Sequence, residues 1–481
     1  MVLDFFKKIS AIPRGSFNEK GIADYLCAFA EERGLFHYRD SLHNVFIRKN
    51  ASAGMENAAP VLLQGHSDMV CEKNADVVHD FETDGIKLII DGDIVRADGT
   101  TLGADDGTAV AMMLALLDDD TLVLPEIECL FTVCEEVGLQ GAAAFDCSLI
   151  KSRTMINIDI DSEDDIIVSC AGGVKSKMTL PLGDMSATAN DETSLRMFVS
   201  GLAGGHSGSD IHLDRGNANK NAARILLKLI DTCGNVRVAS ISGGNKDNAI
   251  PRECEIVFAV KYADKDSITE IIRAESEIIK KSLTSADSDF KVTINGVTNN
   301  MQFASSVTSK LVAELLNVTP NGVIAMSKTI HGMVETSVNT GVIRTEISDD
   351  STAALKVTFA PRSSSESQLD DVIRKLDSFT ALIAGASIEH NSRYPGWEAV
   401  EHSVIREKYV SAFTRLNGRA PKVLALHAGL ECGLIKSKIP DMDIISIGPN
   451  VYDIHTPNER MSISSLNRVY TALCNVLTSA N

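Results

Sequence analysis

This chain of 481 residues has no Cys-x-x-Cys pair: its ten cysteines are scattered, with Cys129 and Cys134 the nearest two. Cys27, Cys129 and Cys474 sit inside apolar runs, where cysteine acts as a small hydrophobe. The pattern excludes a disulfide framework and points to reduced thiols in a reducing compartment. No stretch approaches the ~18 apolar residues of a membrane span. The opening MVLDFFKKISAIPRG has neither a long apolar core nor a small-residue cleavage site, which argues against a secretory leader. Positive charge is in deficit. A net charge of −19 argues against nucleic acid or an anionic membrane as the main partner. No internal repeat and no low-complexity tract interrupts the chain. These absences together lead us to expect a soluble cytoplasmic protein.

What is present is the texture of an enzyme. Hydrophobic content is 44% and charged content 23%, ordinary for a globular protein. The length exceeds what one hydrophobic core usually serves, so two domains are expected. Ser16 and Glu19 read as a capping box before the helical pattern FNEKGIADYLCAFAEERG, which Gly34 ends. HNVFIRKN, PVLLQG, EIECLFTVCEE and RTMINIDI read as strands. IKLIIDGDIVRADG reads as a hairpin turning at Asp91-Gly92, and DDGTAVAMMLALLDD as a helix. Strands alternating with helices indicate an α/β sheet, largely parallel at its centre. From about residue 185 the order becomes that of an α+β sandwich. SLRMFVSGLAGG, NVRVASISGG, RECEIVFAVKY and LKVTFAPRSS are strands there, interleaved with the helices NANKNAARILLKLIDT and SITEIIRAESEIIKKSL. Short α/β elements resume near Arg393. We therefore expect a catalytic α/β domain over residues 1–185 and 394–481, interrupted by an inserted α+β sandwich over 186–393.

Chemistry-bearing residues gather where apolar strands stop. LLQGHSDMV ends a strand in His66 and Asp68, two residues apart and therefore on one side of an extended chain. There the carboxylate could hold one ring nitrogen while the other binds a metal. TLGADDGTAVAMM sets Asp105 and Asp106 in a Gly-flanked turn before a helix, which either could simply cap. FTVCEEVGLQG ends a strand in Glu135-Glu136, MINIDIDSEDD in Asp159 and Asp161, and SIGPNVYDIHTPNER places His455 in a loop after a strand. Each has a plain reading as a polar turn. Jointly they would meet at the edge where the strands of an open α/β sheet deliver ligand-binding residues. A His/Asp/Glu set without thiolates suits divalent zinc, cobalt or manganese. Two histidines and three carboxylates suffice for two ions if one carboxylate bridges. Such a pair, about 3.5–4 Å apart, activates a water and stabilises the tetrahedral intermediate. The adjacent carboxylates then divide into ligand and general base.

The stretches GHSDMV, LGADDG, EEVG, NIDIDSED, GGHSG and IHTP resemble the ordered motifs of the co-catalytic zinc metallopeptidases. That group includes aminoacylases, carnosinases and glutamate carboxypeptidases. IPRGSFNEKGIADYL, GGHSGSDIHLDRGNANK, NAIPRE, HAGLECGL and DMDIISIGPN are similar to bacterial aminoacyl-histidine dipeptidases, over nearly the whole chain from about residue 3. The resemblance implies that His66 binds one zinc with Asp68 orienting it. It implies that Asp105 bridges, across a cis Asp105–Asp106 peptide, and that Glu135 is the base. Glu136 and His455 would complete the second site. Asp159 or Asp161 supplies the remaining carboxylate. The two share a strand face, and the Asn157-x-Asp159 match favours Asp159. His206 in the insertion would stabilise the oxyanion, and Asn248 and Arg362 would hold the substrate carboxylate. The activity so implied is that of a dinuclear zinc dipeptidase, with cobalt or manganese as substitutes, acting on unblocked dipeptides including Xaa-His, as a homodimer through the insertion. An N-acyl amino-acid deacylase or an aminopeptidase on the same scaffold is the alternative.

Overall fold

The computed structural model describes residues 1–297, 301–347 and 353–479. Two compact units account for it. The first comprises residues 1–170, 397–426 and 430–481, and the second residues 171–396 with 427–429.

The first unit is built on an eight-stranded mixed sheet. At its centre Val61–His66 runs parallel to both Ile127–Thr132 and Thr154–Asn157, and Asp443–Ser446 runs parallel to Thr154–Asn157. Antiparallel pairing is confined to the flanks, Phe36–Arg39 with Val45–Lys49 and the latter with Ile127–Thr132, and to the single register pair Ser446–Ile167. Val61–His66 and Ile127–Thr132 are buried along their full length. That is why they read as continuous apolar runs rather than alternating ones. The helix Ala104–Asp118 is buried all round from Asp106 to Leu117, as its apolar circumference demands. Its far end is closed by Lys49, whose Nζ donates to the carbonyls of Leu117 and Asp119 at 3.1 and 2.9 Å. The expected hairpin forms, but Asp91 pairs with Ile94, so Gly92-Asp93 makes the turn, with Gly92 at φ 59°.

The second unit is an antiparallel sheet. Its strand order is Lys291–Gly296, Glu192–Ser200, Cys254–Lys261, Arg237–Gly243, Val334–Ile347, Ala353–Ser363, Gly172–Pro181, Ser387–Tyr394. The helices Ala218–Cys233, Lys265–Ser282, Ser306–Val318 and Glu366–Ala381 share one apolar core with it. Leu195, Met197 and Val199 on alternate strand positions meet Ala222, Leu226, Ile272 and Val312 there. The unit begins at Ala171, earlier than the change of texture near residue 186. The reason is pairing: Gly172–Pro181 lies between Ala353–Ser363 and Ser387–Tyr394. Where the chain leaves and re-enters the first unit, Cys170 and Trp397 exchange both backbone hydrogen bonds, at 3.0 and 2.9 Å. Trp397 is buried in the core of the first unit beside Leu430 and Cys432.

Candidate metal centre

Register brings the residues of the first unit together. His66 is level with Thr132 on one neighbouring strand, and Gln64 with Asn157 on the other. Two residues on, Asp159 therefore draws level with His66. His66 Nε2 lies 3.0 Å from Asp105 Oδ1 and 3.6 Å from Asp159 Oδ1. Asp105 Oδ2 lies 3.1 Å from His455 Nε2, which is also 3.1 Å from Glu136 Oε1. Asp105 thus stands between two imidazoles that are far apart in sequence.

The paired acids divide their work. The Asp105–Asp106 peptide is cis. Asp106 is committed to backbone, accepting from His66 N at 3.2 Å and capping the helix at Ala109 N, 3.3 Å. Asp105 faces the imidazoles. Asp161 lines the cavity beside the cluster, but among the described residues it is in none of the converging His and carboxylate groups, whereas Asp159 converges with His66 and Asp106, and Asp105 with Glu136 and His455.

Asp68 serves two loops. Its carboxylate lies 3.4 Å from His66 Nδ1 and accepts from the backbone N–H of Glu135 and Glu136 at 3.1 and 3.3 Å. Just ahead of them, Cys134 sits at φ 51°, turning the chain so that both glutamates leave the strand together. Ser16 and Glu19 do not form a capping box. Ser16 Oγ donates to Asp68 Oδ2 at 2.8 Å, and Glu19 accepts from Cys134 N at 2.9 Å. The next helix, Lys20–Glu32, has no side-chain cap.

The electrostatics are those of crowded anions. Burial pushes the Glu135 carboxyl up to about 8 against the pull of His66, with Glu431, Glu136 and Asp105 adding to the rise. Burial, then the negative charge of Asp106 and Asp105, raises Asp159 despite His66. Hydrogen bonds with Asp105 and Glu136 raise His455 to about 10. Burial opposes the charge on Asp105, yet His455 and His66 hold it well below the usual carboxylate range. Oxygen and imidazole donors of this excess negative charge fit divalent cations. The cluster borders a cavity of about 380 Å³ walled by Ile160, Ile167, Leu424, Val451 and Ile454, a size suited to a small ligand.

The remaining expected residues lie in the second unit. Backbone pairing sets His206 opposite Ala249, and Ser207 N donates to Asn248 O at 2.8 Å. His206 Nδ1 accepts from Gly208 N and Ser209 N at 3.2 and 3.1 Å, so its proton resides on Nε2, free to donate. Burial, then the charge of Arg362, keeps that imidazole below its ordinary pKa. Arg362 and Asn248 line one cavity of about 100 Å³. Arg362 Nη1 donates to Tyr394 Oη at 2.6 Å, and its Nε is buried without a partner among the described residues.

Several contributors escaped the sequence reading. His427, in HAGLECGL, lies 2.8 Å from Ser337 Oγ through Nε2, and is pushed down to about 3 by burial and then by Arg362. Glu431, in the same string, is fully buried; its Oε2 accepts from Gln64 and Thr132, on the strands that end at His66 and Thr132. Arg14, in IPRGSF, donates to the carbonyls of Ser67 and Asp68. The signal was a charge embedded in a string otherwise built for the interior.

The site and its scaffold are those of a metal-dependent peptide-bond hydrolase, and similarity to known proteins agrees. The peptidase dimerisation domain family matches residues 199–286. The chain is 38% identical over 474 residues to the cytosol non-specific dipeptidase of Escherichia coli (strain K12), covering 98% of this chain and 96% of that protein. The crystal structure of aminoacylhistidine dipeptidase from Vibrio alginolyticus matches with a TM-score of 0.92 at 36% identity, over 99% of this chain and 96% of that one. An aminopeptidase of Bacillus cereus shares the fold, with a TM-score of 0.62 at 16% identity, over 100% and 98% of the two chains. The chain belongs to the M20 family of metallopeptidases, alongside the two dipeptidases just described.

Proposed function

We propose that this protein is a cytoplasmic dinuclear-zinc dipeptidase that hydrolyses unblocked dipeptides, Xaa-His among them. The observation that carries the reading is Asp105 standing 3.0 Å from His66 and 3.1 Å from His455, with Glu135 and Glu136 on the adjoining loop. His66 and Asp159 would hold one cation, Glu136 and His455 the other, and Asp105 both. When bound, such a pair polarises the attacking water and the scissile carbonyl. Glu135 takes the proton from that water and delivers it to the leaving amine. Its raised pKa suits a group that must both accept and return a proton. Asp68 keeps the His66 ring in place and fixes the Glu135 backbone.

The residues of the second unit supply the complementary charge. Arg362 and Asn248 bind the substrate carboxylate, and His206 donates from Nε2 to the developing oxyanion. The dimerisation-domain match supports a homodimer.

The test is metal-reconstituted protein offered dipeptides, tetrapeptides and N-acyl amino acids. Dipeptides should turn over and the others poorly. Equal turnover of N-acyl amino acids would move the protein to the deacylases, and equal turnover of tetrapeptides to the aminopeptidases.

A further inference from the structure

Four residues after His455 the chain carries Glu459, 2% exposed. Its carboxylate accepts four successive backbone N–H groups from the loop before Asp105. Oε2 takes Leu102 and Gly103 at 2.7 and 3.0 Å, and Oε1 takes Ala104 and Asp105 at 2.7 and 3.3 Å. Gly103 at φ 67° turns these amides toward one point, the anion-binding concavity that a run of N–H groups makes. From the other side Arg14 Nη2 donates to Gly103 O. A Cβ on Gly103 would come within 2.6 Å of that guanidinium, so the loop has no slack. Glu459 is itself tied to the His455 turn, its N–H donating to Thr456 O at 3.0 Å.

We infer that Glu459 is a positioning residue of the metal centre: it locks the Asp105 loop to the His455 turn. It thereby sets the geometry of the second cation site without touching the cation. The inference rests on the dinuclear reading above. Asp105 and His455 are separated by 350 residues of chain, and this one carboxylate joins the segments that carry them. A Gln at 459 would turn an amide N–H₂ against two of the four donors and open the clamp.

The test compares Zn²⁺ binding by chelator competition, the visible spectrum of the Co²⁺ form, and thermal unfolding of the metal-free protein. The variants are Glu459→Gln, Glu459→Asp and a control, Glu128→Gln. Glu128 is an equally buried carboxylate of the same unit that accepts from Lys151 N and Ser152 N, at the opposite end of its strand from Glu135. Glu459→Gln should raise the dissociation constant of the weaker Zn²⁺ by about 10–100-fold, the usual effect of losing a group that orients ligands, and alter the Co²⁺ spectrum. Glu459→Asp, which keeps both oxygens, should recover part of that loss. Glu128→Gln should lower the unfolding midpoint with both affinities within about threefold of wild type. If Glu459→Gln is not recovered folded, Glu459→Asp carries the comparison, and a shift below about threefold there overturns the inference. Two ions bound to Glu459→Gln as tightly as to wild type overturns it too. Fewer than two ions on the wild type would instead defeat the dinuclear reading on which it depends.

Discussion

The two units carry clusters of opposite sign, assembled in opposite ways. In the first, His66, Glu135 and Asp159 follow the ends of neighbouring parallel strands, while Asp105 and His455 come from a turn and a loop. In the second, His206, Asn248, Ser337, Arg362, Tyr394 and His427 come one at a time from separate segments. Burial, and after it the positive charge of Arg362, holds down both histidines there. One cluster is rich in anionic groups and the other carries a guanidinium. The difference teaches how the proposed reading divides the demands of a dipeptide: cation-binding groups in one unit, a carboxylate-binding guanidinium in the other.

The sharpest way to break this contrast lies in the anionic cluster. Glu135→Ala should lose about 10²–10⁴-fold in kcat with both ions retained, the worth of positioned proton transfer. Glu136→Ala should lose the ion of the second site as well. Mass spectrometry of metal content beside kcat decides it, and zinc loss in Glu135→Ala with retention in Glu136→Ala would reverse the two roles.

Next in size is the pH dependence of metal uptake. His455 near 10 holds its proton at neutral pH in the metal-free protein, and a cation bound there must displace it. Affinity should therefore climb with pH up to about 10, by at least about 10-fold per unit. Calorimetry in buffers of different ionisation enthalpy counts the protons released; none would show that His455 is not a ligand.

The cationic cluster gives smaller effects. Arg362→Ala should raise KM for dipeptides by about 10–100-fold, the value of a charged hydrogen-bond pair. It should leave a carboxyl-blocked analogue nearly unaffected, and an equal loss on both substrates would remove Arg362 from carboxylate binding. Tyr394→Phe removes only the hydroxyl that fixes Arg362 Nη1, so KM should rise by about fivefold at unchanged kcat. A fall in kcat alone would place Tyr394 elsewhere in the cycle.

The same contrast explains what could be read from sequence. His66, Glu135-Glu136 and Asp159 follow apolar runs, so local pattern singled them out and the parallel sheet sets their strands side by side, while Asp105 was marked by the glycines that flank its turn. The strand Val334–Ile347 gave no such signal. Its buried Thr336, Ser337, Asn339 and Thr340 look like a loop, and only tertiary partners make their burial tolerable. Asn339 Nδ2, for one, donates to the carbonyls of Asp247 and Ala249. Ser16 and Glu19 misled for a related reason. Their spacing satisfies a local rule, but both side chains are used across the structure by the loops of Asp68 and Cys134. Glu459 and Arg14 stayed hidden because a buried charge bonded to backbone leaves no periodicity behind.

The paired backbone of Cys170 and Trp397 has an architectural consequence. Exit and re-entry of a 226-residue excursion, 171–396, stand side by side as neighbours in an antiparallel bridge, about 5.5 Å apart at Cα. A two-residue turn spans that gap. The second unit is thus one continuous excursion of the chain, joined only by residues 427–429 from later in the sequence. A change of length or sequence within that excursion therefore leaves the paired strands that end in His66 and Thr132 covalently undisturbed.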